Sequence, residues 1–315
     1  MSRKRITAIL LALILVSAAV VALKINDKPK WNPYLWEYLQ RDENYEANED
    51  LKDELQKGLQ DINVSQASNG IKVDVIQSFG TARSIAVLFK VTLPKEEIDM
   101  AIKPNGEKNY VTLLDFRLYQ GQIKQEEIEN MALNEAVNYQ SDNAVLLNGP
   151  MNFRVLETVE EENALLCVLE KYSFEDITEE QILTLFIQGF IANPDKDSRL
   201  ILTDKPIAVS WHFGNKGEIF YWSGGKEKIF SEAYLDSLHF CINLNLDKYQ
   251  SFAALNEELK FLDKDLTEIR LEGSEIGFHA DDGTMRWLVQ LNLLPLVDIS
   301  EVQYLQIGDE IIKCD

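Results

Sequence analysis

Ser223-Gly224-Gly225-Lys226 places a hydroxyl three residues before an amine, the Ser-x-x-Lys spacing of penicillin-binding enzymes. Ser141-Asp142-Asn143 matches a second element of that chemistry, in which the serine is the nucleophile. Three features oppose the match. The serine must open a helix so that the lysine lies one turn on, and two glycines disfavour a helix there. Ser-Asp-Asn comes before the Ser-x-x-Lys element, and no Lys-Thr-Gly follows it. Ser223-Gly224-Gly225 reads better as a turn between modules.

Metal chemistry fares no better. His212, His239 and His279 are the only histidines, and each falls in a separate predicted strand. Zinc sites draw on ligands with paired local spacing, which this set lacks. His212 alternates with Trp211 and Phe213, so it is expected to face solvent or the opposite sheet. Asn193-Pro194-Asp195-Lys196-Asp197 offers alternating oxygens without the glycine and bidentate glutamate of a calcium loop, and reads as a solvated loop. Glu160-Glu161-Glu162 reads as a charged turn that attracts cations weakly at most. A phosphate-binding glycine loop and a Gly-x-Ser-x-Gly elbow are both missing from the sequence. The sequence therefore assigns no catalytic residue, no metal ligand and no cofactor.

The elements that would position any site are mostly strands. From Pro33 to Ile62 the pattern is helical, with Leu51, Leu55, Leu59 and Ile62 on one stripe. Pro33 suits a first helical turn. After Asn69-Gly70 the period changes to two: Ile71, Val73 and Val75 share a face, and Ile85, Val87, Phe89 and Val91 follow suit. YVTLLDFRLY, MNFRVLETV, ALLCVLEKY, ILTLFIQGFIA, PIAVSWHF and GEIFYW are further strand candidates. Gln125–Asn138 and Ser251–Leu262 read as helices. EKIFSEAYLDSLHFCINL, LTEIRLEG, SEIGFHADDGTMRWLVQL and EVQYLQIGDEII add strands, with Asp282-Gly283 as a hairpin turn. The fold class expected is mainly β: two β-sandwich-like modules, at 63–223 and 224–315, behind a helical stalk at 24–62. Trp211 and Trp287 are expected in the core.

Residues 6–23 form an uncharged run of 18, with only Thr7 and Ser17 polar. As a helix it would be about 27 Å long, close to the ~30 Å hydrocarbon core. That length favours an uncleaved signal anchor over a signal peptide. Ser17-Ala18-Ala19 and Val20-Val21-Ala22 are nevertheless passable cleavage sites. Arg3, Lys4 and Arg5 precede the run and would stay cytoplasmic, leaving the bulk of the chain extracytoplasmic; the alternative is a secreted protein. Trp31, Tyr34, Trp36 and Tyr38 suit either a membrane interface or packing on the domain.

Composition is globular, with 46% hydrophobic and 26% charged residues. The formal net charge of −21 argues against nucleic acid or anionic lipid as a partner. Cys167, Cys241 and Cys314 are too few and too far apart to form a disulfide framework, although one pair could still bond.

Four pieces carry a family resemblance: ELQKGLQDINVSQASNGIKVDVIQSFGTARSIAVLFKV, the Trp211-x-Phe213 strand, LTEIRLEGSEIGFHADDG, and ISEVQYLQIGDEII. Over roughly 50–315 the chain resembles the extracytoplasmic domains of Gram-positive anti-sigma factors and related exported proteins of unknown function. Only five residues precede the apolar run, so the resemblance implies the exterior part without a sigma-binding domain. It supplies no catalytic residue to carry over. The function expected is non-enzymatic: a membrane-anchored protein that senses, or binds a protein or cell-envelope component. The alternative is a hydrolase with an unrecognised active site, which a nucleophile and a histidine close together in a cleft would favour.

Overall fold

A computed structural model describes residues 29–40, 52, 55–94, 111–113, 116–131, 135, 139–159, 163–177, 181–192, 200–203, 205–214, 219–224, 230–245, 258–269, 273–279, 285–291 and 299–314. Over 111–113, 158, 191–192, 200–203, 273–279, 285–291 and 300 it describes the backbone alone. The chain begins with helix α1 (Pro33–Gln40), followed by strands β1 (Leu59–Ser68), β2 (Ile71–Gly80), β3 (Ser84–Thr92), β4 (Val111–Leu113) and β5 (Phe116–Gly121). Helix α2 (Gln125–Ile128) precedes β6 (Ala144–Leu146), β7 (Met151–Val159), β8 (Ala164–Tyr172), β9 (Gln181–Ile187), β10 (Phe190–Ala192), β11 (Leu200–Thr203) and β12 (Ile207–Phe213). Next come β13 (Ile219–Ser223), β14 (Phe230–Asp236), β15 (His239–Leu244), β16 (Leu259–Leu262) and β17 (Glu268–Ile269). The last strands are β18 (Gly273–His279), β19 (Met285–Leu291), β20 (Tyr304–Ile307) and β21 (Glu310–Lys313).

The protein is mainly β, as its period-two patterning predicts. The described strands form antiparallel sheets ordered β1-β2-β3-β8-β7, β12-β9-β5-β6, β11-β10-β4, β13-β14-β15-β19-β18 and β17-β16-β20-β21. The β1–β2 turn shows the local logic. Ser68 pairs with Ile71, leaving Asn69 and Gly70 as a two-residue loop with φ of 51° and 82°, the positive pair that a tight hairpin turn needs.

The β1-β2-β3-β8-β7 and β12-β9-β5-β6 sheets share one apolar core, with Val75, Phe89 and Cys167 from one and Leu118, Leu185 and Trp211 from the other. A second core gathers Trp222, Phe240, Phe261 and Leu305. The opposite face of the first sheet is covered by α1, whose Leu35, Trp36 and Leu39 pack with Ala86, Leu88 and Val168. Leu238, from the β14–β15 turn, joins that third cluster.

Several expected helices are corrected. The helix predicted over Pro33–Ile62 is present at Pro33–Gln40 and again at Lys52 and Leu55, but it gives way to a 3-10 turn at Gln56–Gly58, and Leu59–Ile62 already belongs to β1. Gly58 explains the change: a Cβ there would stand 2.7 Å from the Gly80 carbonyl, so the chain passes too close to β2 to continue as a helix. The helix α1 is no free stalk either. The buried Gln77 amide clasps its entry, accepting from the Asn32 amide at 2.9 Å and donating to the Lys30 carbonyl at 2.8 Å. The helix expected over Gln125–Asn138 is interrupted: α2 ends at Ile128 in a turn, and Glu135 is helical again. Leu259–Leu262, expected as the end of a helix, is strand β16, held by pairing with β20 and by the burial of Phe261 and Leu262.

The anchor run 6–23, Asp282-Gly283, Phe252 and Leu255 lie outside the described residues, as does the side chain of Trp287. Among the described residues no helix is long and apolar enough to cross a membrane.

Candidate functional site

Among the described residues, a buried polar cluster and an open strand edge are arrangements with chemical potential. The cluster forms where the β2–β3 turn meets the β14–β15 turn. Asp236 ends β14, and its Oδ1 accepts from the amides of Leu238 and His239 at 2.8 and 2.9 Å, closing its own turn. Its Oδ2 takes the hydroxyls of Thr81 at 2.7 Å and Ser84 at 2.6 Å from the other turn. Burial raises the Asp236 carboxyl above its ordinary value, while the two hydroxyls and two amides pull it back. Ser84 Oγ also lies 2.8 Å from His239 Nδ1, and His239 Nε2 is 3.3 Å from Glu170. Tyr38 of α1 donates to Glu170 at 3.1 Å. Beside the cluster, Arg83 lies 3.6 Å over the Tyr234 ring, pairs with Asp176 at 2.8 Å and donates to the Phe174 carbonyl.

Ser84, His239 and Glu170 are the residue types of a nucleophile–base–acid triad. Their hydrogen bonds run the wrong way for one. Thr81 Oγ1 already accepts from the amides of Ser84 and Arg83, so its proton goes to Asp236. Asp236 accepts four bonds in all, and the Ser84 proton points to it as well. The remaining role of Ser84 Oγ is to accept from His239 Nδ1–H. A histidine that donates to the serine is not positioned to take its proton. Ser84 is also 0% exposed, so no acyl carbon reaches it. The cluster is a seam between two turns, and its nucleophile is buried within it.

The open edge belongs to β12, whose inner edge pairs with β9. Its outer edge faces β1 across a gap. Two glutamine side chains bond to that edge. Gln125 of α2 donates to the Pro206 carbonyl at 3.2 Å and accepts from the Ala208 amide at 2.9 Å. Gln60 of β1 donates to the His212 carbonyl at 2.9 Å and accepts from the Gly214 amide at 3.0 Å. Beside Gln125 lies a cleft of about 200 Å³, walled by Val64, Ser65 and Gln66 on one side, Lys124 and Glu126 at one end, and Ser210 on the other side. Ser210 Oγ turns toward Thr184, 2.8 Å away.

The residues singled out by sequence scatter. Ser223 is exposed at the end of β13, and Lys226 lies outside the described residues. Ser141 accepts from the Asn143 amide at 3.1 Å and so closes its own turn. His212 is exposed and His239 buried, while the side chain of His279, Asn193–Asp197 and Glu160–Glu162 lie outside the described residues. Among the described residues no group of three or more potential ligands is arranged to hold a metal. Cys167 and Cys241 are buried and Cys314 is half-buried, and none of them is in a disulfide. Sequence reading missed Thr81, Ser84, Glu170 and Asp236, because a single polar residue at a strand end looks like a turn residue. It missed Gln60 and Gln125 because a glutamine carries no positional signature.

No family model matches the chain, and no curated protein matches it. Among solved structures, the crystal structure of the conserved domain protein from Bacillus anthracis aligns with a TM-score of 0.37 at 13% identity, over 78% of this chain and 75% of that one.

Proposed function

We propose that the protein is a membrane-anchored extracytoplasmic binding protein and not an enzyme. Its anchor is 6–23, and two β-sandwich-like modules, 63–223 and 224–315, present a surface that senses or holds a protein or envelope component. One observation carries this reading: the cleft beside β12 leaves strand-edge backbone open between the bonds made by Gln125 and Gln60. The sealed Ser84 supports it against a hydrolase, since a nucleophile at 0% exposure meets no substrate.

Photocrosslinking in native membranes tests the role. p-Benzoylphenylalanine placed at Gln66 or Lys124, in the cleft walls, should give one discrete adduct. The same group at Val145, 65% exposed on β6, should give none. The same adduct from all three positions, or none from any, would remove the binding role. Esterase or peptidase activity lost in Ser84→Ala would favour the hydrolase.

A further inference from the structure

We infer that the outer edge of β12 at Ala208–His212 is a docking site for an extended peptide segment, which adds as a strand in the cleft between β12 and β1. This inference rests on the binding role proposed above and names the class of partner.

In an antiparallel strand, a residue's N–H and C=O point to the same side, and the side alternates along the chain. The Ala208 amide and the His212 carbonyl both bond to glutamines on the outer side. Ala208, Ser210 and His212 therefore all turn their main chain away from β9. The register agrees, with Ala208 opposite Phe186, Ser210 opposite Thr184 and His212 opposite Ile182. That leaves the Ala208 carbonyl and both groups of Ser210 directed into the cleft, and the His212 amide on the same side of the strand toward Gln60. They offer acceptor, donor, acceptor and donor in ladder order, at the strand's own repeat of about 3.3 Å per residue.

The edge already shows what it binds. Gln125 and Gln60 each present a carboxamide, the chemical group of a peptide bond, and each bonds one carbonyl and the amide two residues further on. A peptide strand supplies the same group repeatedly, which is how strand addition gains affinity from main-chain bonds. A long open edge invites unwanted pairing, and capping both ends with side chains confines the exposed stretch to the cleft. The walls set the partner's chemistry. Ser65, Lys124 and Glu126 are exposed and polar, so paired residues with small or polar side chains fit. The chain's net charge of −21 favours a segment carrying lysine or arginine outside the paired residues.

The probe is a displayed library of random dodecapeptides selected on the full chain, with the recovered sequences made as free peptides. Ser210→Ala removes the hydroxyl and keeps the amide, and should bind within about threefold of wild type. Ser210→Pro removes the outward amide, which proline tolerates at a strand edge, and should lose roughly tenfold or more. Because Ser210→Pro also alters the backbone, a second arm leaves the protein unchanged. N-methylation along the peptide should abolish binding at alternate positions only, and amide hydrogen exchange should slow at Ser210 and His212. A peptide that tolerates N-methylation everywhere, or a library that yields no binders, overturns the inference. Binders that protect another surface overturn it too, and leave the binding role standing. Failure of both this selection and the photocrosslinking removes the role itself.

Discussion

Asp236 concentrates more consequence than any other single residue described. One carboxylate satisfies two hydroxyls and two amides, all buried. Asp236→Ala strands those donors, and an unsatisfied buried group costs about 1–3 kcal/mol. The variant should lose about 3 kcal/mol or more in chemical denaturation, against a small loss for Asp263→Ala, in an exposed turn. Lys171 carries the opposite sign. Its amine is buried, donates to the Gly149 carbonyl, and is pushed down to about 8 by desolvation. The unfolded chain then binds this proton more tightly than the native one, so below about pH 8 the group works against folding. That cost falls away as pH rises from 8 toward the ordinary lysine value of 10.5. Lys171→Met should therefore stabilise the protein at pH 7 by up to about 3 kcal/mol, and the gain should shrink by pH 10. Equal gains at both pH values would show that packing, not charge, is responsible. Neither residue announced itself in the sequence. Asp236 sits in YLDSLHF and Lys171 in LEKYSF, both ordinary strand ends, and only the partner across space gives each its role.

At the scale of elements, period-two patterning was the reliable guide. In β12, Ile207, Val209, Trp211 and Phe213 are buried while His212 is exposed, as the alternation predicts. Trp211→Ala should cost about 3–5 kcal/mol. Trp211 Nε1 meets no acceptor among the described residues, so Trp211→Phe gives up no hydrogen bond and should cost far less. Melting curves of the two variants separate a core role from a surface one, and an unshifted Trp211→Ala would contradict the burial. Close approach is the feature that patterning could not show. A Cβ on Gly80 would stand 2.2 Å from the Phe213 ring, so Gly80→Ala should cost about 1–3 kcal/mol by forcing β2 and β12 apart. The same blindness explains the misread helices. Leu51, Leu55, Leu59 and Ile62 have helical spacing, yet Leu59 and Ile62 lie on a strand. Spacings of three and four also arise by chance where a turn precedes a strand, and what decides is the sheet waiting to pair.

At the scale of the whole molecule, the apolar residues of the first core all lie within 62–213 and those of the second within 220–314. The cores touch neither the same strands nor the same sheets, and what joins the halves is a small seam of polar bonds beside two apolar contacts, Tyr172 on Cys241 and Leu238 under α1. Asp236 bonds to Thr81 and Ser84, His239 meets Glu170 and Ser84, Arg83 stacks on Tyr234, and Leu238 lies in the cluster beneath α1. None of this was legible in the sequence, which marked a boundary near Gly224 but not how the chain closes over it. Gly224 itself is a close approach, since a Cβ there would stand 2.1 Å from the Phe230 carbonyl. The same view bears on the anchor. A full chain that fractionates with membranes and keeps its N-terminus through Leu23 fits the apolar run, and a mature chain starting near Leu23 would replace anchored with secreted. The seam makes the last prediction. Charge-assisted bonds to a buried carboxylate are strong, and the partner groups on both sides are unsatisfied once it goes. The intact chain should therefore unfold in one calorimetric transition despite its two cores. Asp236→Ala should broaden that transition, and Asp236→Ala with Leu238→Ala should resolve it into two, because the apolar contact under α1 is then lost as well. A double-mutant cycle between Ser84→Ala and Asp236→Ala should show a coupling of about 0.5–3 kcal/mol, the range for residues in one hydrogen-bonded network. Two transitions in the unaltered chain, or additive losses in the cycle, would mean that the turns meet without coupling the halves.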